Sequence, residues 1–178
     1  MRQRLALFSL TDTAGSVDFA KGLQDLGYGI LATDGTKAHL SAGDLEGVMN
    51  VSDFTGEPAR FGGRLKTLHH KIYAGLLAKP IDADREVLKL LEWPEIDLAV
   101  VNLYDFRAAA KKPGAKFEEV IEKIDIGGPT MLRAAAKNWQ DVAVVWDPSD
   151  YSAIIEELKQ KKGQISEETC FRLAKKVF

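Results

Sequence analysis

Short segments that are almost wholly apolar constrain this chain most. Leu5–Leu10 reads Leu-Ala-Leu-Phe-Ser-Leu, Ile30–Ala32 is apolar throughout, and Leu98–Leu103 reads Leu-Ala-Val-Val-Asn-Leu. Val142–Trp146 is a further apolar run, and Val48–Val51 reads as a short third strand. A strand with one wet face alternates apolar and polar residues; these do not, so they belong in a sheet covered on both faces. Helical patterns separate them. Phe19, Leu23 and Leu26 fall at helical spacing before Gly27, a helix stop, and a short helix starts within Thr33–Thr36. Residues 117–124, 129–137, 154–162 and 166–177 also read as helices. Strands alternating with helices predict an α/β fold of three layers, a mostly parallel sheet flanked by helices. Residues 52–70 read as a long, irregular, glycine-bearing loop, a length usually kept for function.

The 178 residues are most simply one domain spanning 1–178. Such a chain buries roughly two thirds of its unfolded surface. No apolar run reaches the length of a membrane span. The apolar start is cut short by Thr11-Asp12-Thr13, so it reads as a first strand rather than a secretory signal. Cys170 is the sole cysteine, which excludes an intrachain disulfide and argues against a cysteine-based metal site. A cytoplasmic location is the default expectation. The formal net charge of −2 and a short basic patch with few aromatics argue against nucleic acid as a partner.

In open parallel sheets ligands bind beyond the carboxyl ends of the strands. Polar residues gather there: Ser9 and Thr11–Thr13, then Thr33–Thr36, then Asn102 and Tyr104. They converge on one rim and predict a small-molecule site. The first two turns, rich in Ser, Thr and Gly, suit a phosphate at a helix start, and the same residues serve as plain helix caps. Neither is a Walker loop or a dinucleotide fingerprint. From Pro58 to Ile81 there is no carboxylate, while Arg60, Arg64, Lys66, Lys71 and Lys79 lie there beside Gly62 and Gly63. This is either a small-anion site or a solvated basic loop.

Asp125-Ile126-Gly127-Gly128-Pro129-Thr130 combines two glycines that let a ligand approach, a proline that opens a helix, and a carboxylate before exposed amides. An ordinary capped loop has the same makeup. Lys137 and Asn138 end that helix. A lysine there stabilises the helix dipole, or, if buried with a lowered pKa, donates a proton. His39, His69 and His70 do not form a metal set. No Gly-x-Ser-x-Gly elbow marks a nucleophilic triad.

Five motifs occur in order: Ser9-Leu10-Thr11-Asp12, Asp34-Gly35-Thr36, Gly63-Arg64-Leu65-Lys66-Thr67-Leu68-His69, Asn102-Leu103-Tyr104, and the run from Asp125 to Asn138. Together they resemble the inosine monophosphate (IMP) cyclohydrolase domain of the bifunctional purine enzyme that also carries a formyltransferase domain. The resemblance covers nearly the whole chain. It implies a methylglyoxal-synthase-like fold and closure of 5-formamidoimidazole-4-carboxamide ribotide to IMP and water, the last step of purine synthesis, with no metal or organic cofactor. By matching positions, the phosphate meets Thr11, Asp12 and Thr13, then Thr33, Asp34, Gly35 and Thr36, with Arg64 and Thr67; Ser9 precedes them. Val101, Asn102, Ile126 and Gly127 complete the substrate site. Lys66, Tyr104, Asp125 and Lys137 are the reacting residues, with Lys137 transferring the proton. A homodimer and a separate formyltransferase are the partners it implies.

The departures fall in the phosphate loops. Thr13 replaces a lysine, and Asp34 replaces one glycine of a pair; both changes weaken phosphate binding. His70 stands where the family has proline, Tyr73 where it has a later histidine, and Asp105 where it has proline. A non-catalytic nucleotide-sensing domain of the same fold is the alternative. A methylglyoxal synthase would need a different set of carboxylates.

Overall fold

The computed structural model describes residues 2–178. Its sheet contains β1 (Arg4–Ser9), β2 (Tyr28–Ala32), β3 (Met49–Asn50), β4 (Leu98–Val101) and β5 (Ala143–Val145). The order is β3-β2-β1-β4-β5, and every pairing is parallel. The helices are α1 (Ser16–Asp25), α2 (Asp34–Ala42), α3 (Val51–Thr55), α4 (His70–Leu77), α5 (Asp82–Leu90), α6 (Phe106–Lys111), α7 (Phe117–Ile121), α8 (Gly127–Lys137), α9 (Tyr151–Gln160) and α10 (Glu167–Lys175). No described helix is long and apolar enough to cross a membrane.

Period-two alternation explains the apolar runs. Ala6 and Phe8 of β1, Leu98 and Val100 of β4, and Ala143 and Val145 of β5 join Phe19, Ala20 and Leu23 of α1 and Ile154 and Leu158 of α9 in one buried cluster. The intervening residues Leu5, Leu7, Ala99, Val101 and Val144 face the other way. They meet Ile72 and Leu76 of α4 and Met131, Leu132 and Ala135 of α8. Both faces of the sheet are dry, as the sequence predicts.

The boundaries move for identifiable reasons. The strand expected over 98–103 ends at Val101, because Asn102 turns its side chain onto the loop after β1. The third strand shrinks to two residues because the Asn50 side chain caps α3, accepting from the Ser52 N–H at 2.7 Å. The expected irregular loop over 52–70 holds the rest of α3, a 3₁₀ turn at Phe61–Gly63, and the cap of α4. That cap is His69, whose Nδ1 accepts from the Lys71 N–H at 3.1 Å. Helices α4, α5 and α6 arise where the sequence reading expects none. Helix α8 starts two residues before Pro129, which falls in the first turn, where its missing N–H breaks no helical bond.

Candidate functional site

The parallel sheet sends all its carboxyl ends to one rim, and Asn102 organises that rim. Leaving β4, its Oδ1 accepts from the Thr11 N–H at 2.7 Å and the Asp12 N–H at 3.0 Å, and its Nδ2 donates to the Asp12 carbonyl at 2.7 Å. Three of its four hydrogen-bonding positions are thus used on the loop after β1. It braces that loop, and among the described residues one N–H of its amide stays unused. The Val101 side chain is fully buried in the core, so its backbone is what can face a ligand. Ser9 ends β1 half-buried, with its carbonyl accepting from the Asn102 N–H.

Thr33 and Thr36 are also inward-looking. The buried Thr36 hydroxyl accepts from the Leu10 N–H at 2.9 Å and from the Thr33 hydroxyl at 3.2 Å, tying α2 to the first loop. Among the described residues no side chain caps the first turn of α2, so Asp34, Gly35 and Thr36 present backbone amides at the rim. Those amides, rather than the threonine hydroxyls, are suited to an anion. The Asp34 carboxylate is held aside by the Asn50 side-chain amide at 2.6 Å. In the first loop, Thr11 and Asp12 are exposed, Thr13 is half-buried, and the Asp12 carboxylate accepts from the Ala14 N–H at 3.0 Å.

Across the rim, α8 closes the other wall. Thr67 is buried against Gly127, where a Cβ would collide with its hydroxyl. A Cβ on Gly128 would come within 2.5 Å of both the Asp125 carboxylate and the Leu103 side chain. Glycine is required here for close approach. Asp125 Oδ1 accepts from the Gly128 N–H at 3.0 Å, so the carboxylate does cap the helix; among the described residues, no hydrogen bond reaches Oδ2. Lys66 is exposed and forms no ion pair among the described residues. Exposed Tyr104 carries the Lys123 ammonium 5.2 Å from its ring centroid, and Ile126 is exposed beside Asp125.

Lys137 is not brought to this rim. It ends α8, about 15 Å along the helix from Gly127 at about 1.5 Å per residue. The neighbouring Asn138 confirms the direction, donating to the Leu76 and Ala78 carbonyls at the far end of α4. Within one chain the proton-transfer role expected of Lys137 has no geometric basis. Lys137 is exposed, so it occupies the position of a lysine that stabilises a helix C-terminus.

Three residues not among the expected site residues, Glu122, Lys123 and Tyr73, belong to the rim. Arg64 pairs with Glu122, its Nε donating to Oε2 at 3.2 Å and its Nη2 to Oε1. Lys123 covers Tyr104. Tyr73 lies beneath the α8 wall, its hydroxyl buried and, among the described residues, without a partner in hydrogen-bonding geometry. Burial, opposed by nearby Thr130 and reinforced by the Asp125 charge, pushes that phenol up to about 12, so it stays neutral. Glu122 and Lys123 stand three and two positions before Asp125, and that proximity is the available signal.

A groove of about 640 Å³ lined by residues that include Arg2, Met49, Phe54, Arg85 and Trp93 contains none of these residues. It lies beside the start of β1 and α5, and the rim has the stronger chemical claim because it gathers exposed helix amides, cations and a free carboxylate oxygen.

Comparison with known proteins agrees with this fold. The family model of the MGS-like domain matches residues 15–130, and that of the AICARFT/IMPCHase bienzyme matches residues 135–178. The bifunctional purine biosynthesis protein PurH of Neisseria gonorrhoeae is 50% identical over 175 residues, covering 97% of this chain and 33% of that protein. PurH of Acidithiobacillus ferrooxidans gives the same identity and coverage. The chain thus spans about a third of the length of the curated relatives it matches. A solved structure, described as the crystal structure of ForH, superposes with a TM-score of 0.88 at 34% identity, covering 99% of this chain and 92% of that one. A parallel sheet with this rim, a family match across most of its length and a close structural neighbour place the chain in the MGS-like domain family.

Proposed function

We propose that this chain is an IMP cyclohydrolase, closing 5-formamidoimidazole-4-carboxamide ribotide to IMP with loss of water. The observation that carries the reading is the convergence of Thr67 on Gly127 and of Leu103 on Asp125 and Gly128, with Lys66 and Tyr104 on the same segments. Similarity to PurH proteins over 97% of the chain supports it.

Nucleophile and electrophile sit on one substrate molecule, so the protein's main task is orientation. The amides that open α2, with Arg64 and Thr67, hold the phosphate. The carboxamide nitrogen attacks the formyl carbon, forming the C–N bond, and the Asp125 Oδ2 accepts the proton that leaves nitrogen. Negative charge develops on the formyl oxygen, where the Lys66 ammonium stabilises it. That oxygen then takes up one proton from Lys66 and one from the rim solvent and leaves as water, while the former formamido nitrogen gives its own proton to the rim solvent and forms the ring C=N bond. Lys137 enters this scheme only if a second copy of the chain, in a homodimer, brings its amine to the rim. The substrate carries a formyl group, so a formyltransferase must act before this step.

Cyclisation followed by ultraviolet absorbance tests the reading. Rapid conversion by the wild type, lost in Lys66→Ala, is the expected result. Conversion at the uncatalysed rate, with IMP still bound, would overturn turnover. The alternative would then stand: a nucleotide-sensing domain, favoured by the Asp34 carboxylate lodged at the phosphate end of α2.

A further inference from the structure

The segment between β4 and α8 contains the least anchored helices of the fold. Neither α6 nor α7 buries a residue, and Phe117 is 74% exposed. The segment's ion-pair connection to the opposite wall, among the described residues, is Glu122 to Arg64. Arg64 belongs to an equally unanchored loop. Phe61, Gly62 and Gly63 all adopt positive φ, and the loop is pinched by the Arg60–Leu65 bridge. This turn aims the guanidinium across the rim, where its Nε and Nη2 edge takes both oxygens of the Glu122 carboxylate.

A guanidinium offers that side edge to one planar or tetrahedral anion at a time. The edge a phosphate would use is occupied by a carboxylate from the same chain. The pairing is mutual: hydrogen bonding to Glu122 raises the Arg64 pKa, and hydrogen bonding to Arg64 lowers that of Glu122. Two residues on, Lys66 has no such partner among the described residues.

We propose that Glu122 is a positioning residue that stands in for the substrate phosphate on Arg64. It holds the guanidinium extended over the rim while the site is empty and is displaced when the phosphate binds. The inference rests on the reading of Arg64 as a phosphate ligand. Displacement costs the ion pair, so Glu122 sets phosphate affinity lower than the bare site would have. It also uncouples the α6–α7 segment from the Arg64 loop as the ligand arrives. Both groups are well exposed, so the effect is that of a surface pair, a change of about twofold to fivefold.

The sign of the effect separates this role from a purely structural one. Losing a structural tether leaves ligand binding weaker or unchanged; losing a competitor tightens it. Titration calorimetry with inorganic phosphate and with IMP would be run on the wild type, Glu122→Gln, Arg64→Ala and the double variant. The expected result is about twofold to fivefold tighter binding in Glu122→Gln, with the gain absent in the Arg64→Ala background, as a coupled pair requires. Unchanged or weaker binding in Glu122→Gln overturns the proposal, as does a gain that survives without Arg64. If Glu122→Gln tightens nothing because the wild type binds neither probe, the nucleotide-site reading falls and takes this one with it. Wild-type binding indifferent to Glu122 overturns the competitor role alone.

Discussion

The sheet and the segments that overhang its rim are built on opposite principles. In β1, Leu7 and Phe8 are fully buried on opposite faces, and each belongs to a different core cluster. In the Arg64 loop, and in α6 and α7, no side chain is buried except Thr67, and Phe61 is 75% exposed. The frame is held by apolar burial on two sides, while the overhanging walls are held by a few charge pairs and backbone turns. Stability and chemistry therefore reside in different residues, and substitutions should affect one without the other.

The sharpest test of that separation is Lys66→Ala. Turnover should fall about 10²- to 10³-fold, the usual cost of losing a group that stabilises developing charge, while thermal unfolding is unchanged. The reverse case is Leu7→Ala, which should cost about 2–5 kcal/mol in urea unfolding and leave turnover per folded molecule near normal. Gly128→Ala joins the two regions, because its Cβ would press on Asp125 and Leu103. It should lower turnover roughly 10- to 100-fold by displacing the carboxylate and cost about 1–3 kcal/mol. Lys137→Ala should change turnover by less than about twofold and stability by less than about 0.5 kcal/mol, as for an ordinary surface position. A large loss of turnover there would mean that the site is shared between two copies, which sedentary monomers in sedimentation could not supply.

A further effect concerns the frame and pH. Burial opposes the charge of Glu157, yet bonds from Lys161, Ser166 and Thr169 win and hold its carboxyl at about 2 against an ordinary 4.5. Its folded pKa lies below the unfolded one. Its stabilisation is therefore complete above about pH 4.5 and is lost as pH falls toward about 2. Glu157→Gln should remove that part of the acid sensitivity in unfolding measured across the window, at a cost of about 1 kcal/mol near neutrality.

The frame was legible in sequence because burial on both faces leaves a local mark: continuous apolar runs at Leu5–Leu10, Leu98–Leu103 and Val142–Trp146. The overhanging segments leave no such mark. Helix α4 opens on a histidine cap, α5 buries Leu88 alone, and α6 buries nothing, so no periodicity announced them; α7 also buries nothing, yet it falls within the helix read over 117–124. The rim was legible as a place, since Ser9, Thr33 and Asn102 follow strands. The roles were less so. Asn102 and Thr36 are drawn inward by loop amides distant in sequence, and Lys137 lies a full helix away from Asp125; both facts depend on tertiary placement.

The central position of β1 has a consequence in time. One of its edges is met by β2 almost at once, but the other waits for β4, and Ala6 must find Leu98, 92 positions later. On a ribosome adding about 5–20 residues per second, that edge stands open for roughly 5–18 s. The brace that Asn102 supplies to Thr11 and Asp12 arrives only after this delay, so the loop after β1, although encoded near the start of the chain, takes its shape only once residue 102 has been made.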